Sequence, residues 1–175
     1  MKDDKEHYNS RIKPVFKELY NIDLKLSDMP STGVYGFQIW SDELVNFKNK
    51  LNLPLGKKEE IEIPKIFLQT KENIVSVIRG IFDTDGCLYI ENKNGKPYPR
   101  IFISTTSGKL ATQLKELILS LGIRVTKYTT KHKIENWNDL YRIELRGYNE
   151  TEKWFRIIES KNPKFLIKCK KLFNS

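Results

Sequence analysis

The stretch Val77-Ile78-Arg79-Gly80-Ile81-Phe82-Asp83-Thr84-Asp85-Gly86 constrains this chain more than any other, because an apolar helical run ends there in two carboxylates and a glycine. Ile74, Val77, Ile78 and Ile81 recur at i, i+3, i+4 and i+7, the spacing of one face of an α-helix. Gly86 stops the helix, and the β-forming Cys87-Leu88-Tyr89-Ile90 follows it. Carboxylates at a helix C-terminus stand at the negative end of the dipole and call for a compensating cation, for which a divalent metal is the first candidate.

Hydrophobic periodicity places other elements around this motif. It predicts a helix over Tyr8–Tyr20, a hairpin ending in Tyr35-Gly36-Phe37-Gln38-Ile39-Trp40, and a helix from Ser41 or Asp42 to Leu51. Beyond the motif it predicts strands over Cys87–Asn92 and Arg100–Thr105, a helix from Ser107 to Leu121, strands over Ile123–Thr130 and Leu140–Arg146, and a helix over Glu150–Glu159. A basic segment, Lys161–Phe173, closes the chain. The order helix, strand, strand, helix, basic turn therefore occurs twice. The chain reads as a partial repeat over 1–66 that lacks the motif helix, and a complete repeat over 67–175.

Motif and element order together resemble the LAGLIDADG homing endonucleases. The resemblance covers a whole αββαββα unit over about Asn73–Phe173 and the rear part of a preceding unit over about Tyr8–Pro64. It implies an α+β fold with an antiparallel sheet packed on helices. Arg79 departs from the small residue usual at its motif position and resembles the second motif of two-motif members. In such proteins motif helices pack side by side, a role that would fall to Ile74, Val77, Gly80 and Ile81. The resemblance makes Asp85 the metal-binding acid, joined by the carbonyl of Thr84, with Asp83 as a structural or secondary ligand. It implies Mg²⁺ as cofactor, with Mn²⁺ or Ca²⁺ able to substitute for binding. Lys168, with Lys58 as its counterpart in the first repeat, would stabilise charge at the phosphate, and Thr105 or Thr106 would line a water pocket. A calcium-loop reading of the same acids fails, because Gly86 at its sixth position would put Ile81 first and Asn92 twelfth, where acids are needed.

Charge and strand alternation point to a polyanion. The formal net charge is +9, from 31 Lys and Arg against 22 Asp and Glu. Alternation sends Leu88, Ile90, Ile101, Ile103, Ile123, Val125, Tyr141, Ile143 and Leu145 toward the helices. The other face carries Tyr89, Glu91, Lys93, Arg100, Phe102, Ser104, Arg124, Thr126, Tyr128, Arg142, Glu144 and Arg146. Of these, Tyr89, Glu91, Lys93, Arg100, Ser104, Arg124, Thr126, Tyr128, Arg142 and Arg146 are the candidate contacts to double-stranded DNA, with Lys133 near a loop end fitting a phosphate. The loop containing Trp137 could become ordered on DNA. An ordinary half-exposed sheet would also alternate, and only the surplus of arginine and aromatic side chains favours the sharper reading.

The two cysteines, Cys87 and Cys169, have neither disulfide-framework nor zinc spacing, and no apolar run approaches the ~20 residues that span a bilayer. An intracellular, cytoplasmic protein is expected. The implied function is site-specific hydrolysis of phosphodiester bonds in double-stranded DNA, in the service of intron or intein mobility. One motif supplies half of what double-strand cleavage needs, so either two chains form a homodimer through the motif helix or an N-terminal motif-bearing segment is missing. The rival readings are a non-cleaving nucleic-acid-binding protein, maturase-like or regulatory, and a degenerate endonuclease.

Overall fold

The computed structural model describes residues 2–30, 33–53, 60–131 and 138–173. In chain order its elements are α1 (Lys2–His7), a π-helical turn (Tyr8–Ile12), α2 (Lys13–Tyr20), β1 (Ser27–Met29), β2 (Val34–Gly36), α3 (Asp42–Lys50), a 3₁₀ turn (Lys65–Leu68), α4 (Lys71–Asp85), β3 (Gly86–Lys93), β4 (Lys96–Thr105), α5 (Gly108–Ser120), β5 (Thr126–Thr130), β6 (Leu140–Arg146), α6 (Tyr148–Ile158) and α7 (Pro163–Phe173). This is the expected α+β architecture, with αββαββα running from α4 through α6 and α7 following it. The chain forms two compact units, 1–41 with 161–175, and 42–160, so the expected repeat boundary at 66/67 falls inside the second.

In the first unit the opening helix starts earlier than periodicity suggested and runs through the π-helical turn into α2. Asn21, in the left-handed region at φ 53°, ends it and donates its N–H to the Lys17 carbonyl. Aromatic side chains join this helix to the hairpin: Tyr8 meets Tyr35 edge-on at 5.9 Å, and Phe16 meets Phe37 at 5.0 Å between ring centroids.

In the second unit α4 is opened by Thr70, whose hydroxyl accepts from the Asn73 N–H at 3.2 Å. Its chain then enters a four-stranded antiparallel sheet of order β3-β4-β6-β5. Ile101 pairs with Leu88 on one side and Leu145 on the other, and Ile103 with Gly86 and Ile143, which lays one apolar face toward the helices. Ile78, Phe82, Leu114, Ile118, Trp154 and Ile158 are buried and complete this core.

Two expectations need correction here. Ile90 has the right parity but is 36% exposed, since β3 continues beyond it to Lys93 at the hairpin tip, beside the turn with β4. The strand read as starting at Ile123 starts at Thr126. Ile123 is still buried, in the turn after α5, where Gly122 takes φ +80° and the Ile123 N–H bonds to the Ile118 carbonyl.

Candidate metal end of the motif helix and nucleic-acid face

The apolar residues of α4 divide between two faces rather than sharing one stripe. Ile78 and Phe82 are fully buried against the sheet and α6, with Phe82 edge-on to Trp154 at 5.0 Å. Ile74, Val77 and Ile81 are half-buried and Gly80 is exposed. At about 100° per residue, these four fall on a second seam beside the core face. A side chain at Gly80 would meet nothing within 4 Å.

The two motif carboxylates also separate. Asp85 is exposed at the end of the helix, and Thr84 beside it donates its hydroxyl to the Gly80 and Ile81 carbonyls at 3.1 Å. The Thr84 carbonyl lies in the last turn, beyond the Phe82 carbonyl that accepts the Gly86 N–H. Asp83 lies about 160° away around the axis, is buried, and accepts a short hydrogen bond from Ser160 Oγ. Burial and the Ser160 bond set Asp83 on a different side of the helix from the exposed Asp85. Arg79, one turn earlier, donates from Nε to the Ile158 carbonyl at 2.5 Å, where α6 ends. Arg79 and Asp83 thus hold the end of α6 together, which accounts for a long cation where the motif usually has a small residue. Asp83→Ala is expected to destabilise the protein by about 1–3 kcal/mol by leaving the Ser160 hydroxyl without its acceptor. Chemical denaturation measures it, and a change below the detection limit would contradict the structural role.

Among the described residues no three His, Cys, Asp or Glu side chains gather to hold a metal. The donors at the end of α4 still fit Mg²⁺, which takes oxygen ligands and is commonly held by one or two carboxylates together with substrate phosphates. Asp85 and the Thr84 carbonyl could supply two such oxygens. The register sets Gly86 against Ile103, so this end of the helix lies at the edge of the sheet that carries Ser104 and Thr105. Thr105 shares the parity of the helix-facing Ile103, and its hydroxyl accepts from the Ser107 N–H at 3.1 Å, at the turn into α5. Of the two proposed water-pocket threonines, Thr106 is the exposed one. Lys168 is exposed on α7 in the other unit, and Lys58 lies outside the described residues, as do Lys133 and Trp137.

The polar face of the sheet is organised in cross-strand rows: Tyr89, Arg100 and Arg146; Cys87, Phe102, Glu144 and Thr126; Ser104, Arg142 and Tyr128. Its arginines are already engaged. Arg100 donates from Nη2 to Glu91 at 2.7 Å and from Nη1 to Glu144 at 3.3 Å. Arg146 donates from Nε to the same Glu144 oxygen at 2.6 Å. The hydrogen bond that Arg100 donates to Glu91 raises its pKa, and the one that Arg146 donates to Glu144 raises its own, so both stay charged. Arg142 stacks over Phe102 at 4.3 Å and Arg146 over Tyr128 at 5.2 Å. Lys93 lies 4.7 Å from the Tyr98 ring.

Arg124 precedes β5 rather than lying in it, and Glu150 of α6 holds it: Glu150 accepts from the Arg124 N–H at 2.8 Å and from its Nε at 3.1 Å. Lys153 adds a third bond at 3.1 Å. Glu144 and Glu150 act as anchors that periodicity alone does not mark. The signal for Glu144 was the cross-strand meeting of two arginines, which needs an acid nearby. Burial pushes the Glu150 carboxyl up, but the Arg124 N–H, Lys153 and the Arg124 guanidinium outweigh it and leave the pKa below its ordinary 4.5. A lowered carboxyl adds stability that is present above about pH 4.5 and is lost as pH falls through the folded value. Glu150→Gln is expected to flatten the fall in melting temperature between pH 5 and pH 3. An unchanged acid limb in the variant would show that Glu150 does not carry that stability.

A family model described as a LAGLIDADG-like domain matches residues 72–159, the span from the motif helix to the end of α6. The chain belongs to the LAGLIDADG family. Among solved structures, mesophilic variants of the homing endonuclease I-DmoI superpose with TM-score 0.59 at 15% identity, over 88% of this chain and 75% of that one. I-DmoI in complex with DNA and Mn superposes with TM-score 0.58 at 18% identity, over 88% and 75%. These likenesses show the LAGLIDADG fold. Among curated proteins, the replicative DNA helicase DnaB of Rhodothermus marinus is 33% identical over 89 residues, 50% of this chain but 9% of the helicase. Glutamine–fructose-6-phosphate aminotransferase of Methanocaldococcus jannaschii is 26% identical over 147 residues, 82% of this chain and 13% of the enzyme. The chain thus spans only a small part of either curated relative. No helix among the described residues is long and apolar enough to cross a membrane.

Proposed function

We propose that this LAGLIDADG protein is a site-specific homing endonuclease that binds double-stranded DNA on the sheet face and hydrolyses its backbone at the end of α4. The observation that carries the reading is the placement of Asp85: an exposed carboxylate at the open end of the motif helix, at the edge of a sheet whose polar face bears Tyr89, Arg100, Arg142 and Arg146. Arginine and tyrosine on a pleated ribbon match the donors and acceptors of a major groove, and Lys93 with Lys96 at the β3–β4 turn suits phosphate. Asp85 and the Thr84 carbonyl would hold the cation. When bound, it would polarise the scissile phosphate and make water a better nucleophile. Thr106 is proposed to order water there.

The two curated relatives support a mobile element. A helicase and an aminotransferase share no activity by name, yet each contains a short segment similar to this chain. A module inserted into unrelated proteins would look like this. Incubation with Mg²⁺ and duplex DNA spanning the uninterrupted form of the locus that carries the gene is expected to yield a discrete double-strand break. Tight binding without any cut would favour the maturase-like reading. Two-strand cleavage also requires a second motif, and the half-buried seam of Ile74, Val77, Gly80 and Ile81 is where a second copy would pack. Light scattering on DNA-bound protein should then give the mass of two chains per duplex, and a mass of one chain would remove the homodimer.

A further inference from the structure

Arg100 and Arg146 stand directly opposite one another on β4 and β6. Two like charges in that position repel, so the sheet has to hold them there. Glu144 does this: it is 5% exposed, and one of its oxygens accepts from both arginines. The two guanidinium groups are used differently. Arg100 spends both terminal nitrogens, on Glu91 and Glu144, and its Nε is buried without a partner among the described residues. Arg146 spends only Nε. Its Nη1 and Nη2 make no hydrogen bond among the described residues, and the group is laid over the Tyr128 ring with its side chain 43% exposed. A guanidinium fixed through Nε keeps two parallel N–H donors, the fork that fits O6 and N7 of guanine.

We propose that Glu144 is a positioning residue for sequence recognition, setting Arg146 as a guanine-reading fork while Arg100 braces the pair without reading a base. The proposal rests on the DNA-binding reading of the sheet and adds which of its arginines carries sequence information. It also assigns a favourable role to a carboxylate on a face that must meet a polyanion: Glu144 lowers general affinity and in return fixes one donor pair.

The test uses the full chain and a pool of random-sequence duplexes, selected by binding in Ca²⁺ and read by sequencing. Wild-type protein is expected to enrich a site containing a guanine whose replacement weakens binding about tenfold or more. Glu144→Gln should lose preference at that one base pair, keep it elsewhere, and bind the unselected pool more tightly, because a negative charge is gone. A uniform loss at all positions would indicate a merely structural role and overturn the proposal. Arg146→Gln changes a half-exposed side chain and decides the matter even if Glu144→Gln does not fold: it must erase preference at one guanine, and unaltered preferences would refute the assignment. Arg100→Gln should leave a guanine preference in place. If wild-type protein enriches no sequence, the DNA-recognition reading falls and this proposal falls with it; if it enriches a site that Glu144→Gln and Arg146→Gln leave unchanged, only this proposal falls.

Discussion

Asp85→Asn is expected to lower DNA cleavage by about 10²–10³-fold while leaving binding to the same duplex nearly unchanged. The substitution keeps the shape of the side chain and removes the negative charge that would draw a divalent cation to the end of α4. Loss of a preorganised charge at a reacting phosphate costs several kcal/mol of transition-state stabilisation, which sets the scale. Binding should survive because Asp85 is exposed at the edge of the sheet, apart from the arginines of its polar face. Removing a carboxylate near a polyanion would, if anything, tighten the complex. A plasmid carrying the uninterrupted locus, followed for nicking and linearisation in Mg²⁺, reads the cleavage, and a gel-shift titration in Ca²⁺ reads the binding. Asp83→Asn serves as the contrast: it should alter stability through Ser160 and leave the cleavage rate of the folded protein intact. Cleavage by Asp85→Asn at the wild-type rate would remove Asp85 from the reaction.

What could be read from the sequence followed from periodicity, and what could not followed from contacts between distant residues. The alternation of Leu88, Ile101, Ile103, Ile143 and Leu145 sorted the sheet faces correctly, because a strand has a period of two and one face is buried. The motif helix was legible as amphipathic, yet its two apolar seams lie close together around the axis and look like a single stripe in a linear pattern. Only burial separates Ile78 and Phe82 from Val77 and Ile81. Asp83 and Asp85 look equivalent as letters. The helix turns them apart, and Ser160, 77 residues away, claims Asp83. Arg100 and Arg146 likewise looked like two equal DNA contacts until the register set them face to face across Glu144. In each case chemistry was visible in the residue type, while the role depended on a partner whose distance along the chain no local pattern reports.

Phe82→Ala is expected to be the most damaging single change to the fold, costing about 3–5 kcal/mol. The ring is fully buried and meets Trp154 at 5.0 Å and Phe155 at 6.4 Å, so truncation opens a cavity where α4, α6 and the sheet come together. For a chain of this size that corresponds to a fall in melting temperature of roughly 6–20 °C. The same ring explains Gly86. Its backbone is extended, at φ −81° and ψ 163°, a conformation open to any residue, so freedom of φ is not what requires glycine. A Cβ there would overlap both the Phe82 ring and the Phe82 carbonyl. Gly86→Ala should therefore destabilise by about 1–3 kcal/mol through overpacking at the point where helix becomes strand. The two effects are coupled. In a Phe82→Ala background the ring no longer opposes the new methyl group but the carbonyl still does, so Gly86→Ala should cost less there than in wild-type protein without becoming neutral. Urea denaturation of the four proteins closes this cycle. Strict additivity would show that the glycine answers to the carbonyl alone, whereas full loss of the penalty would show that it answers to the ring alone.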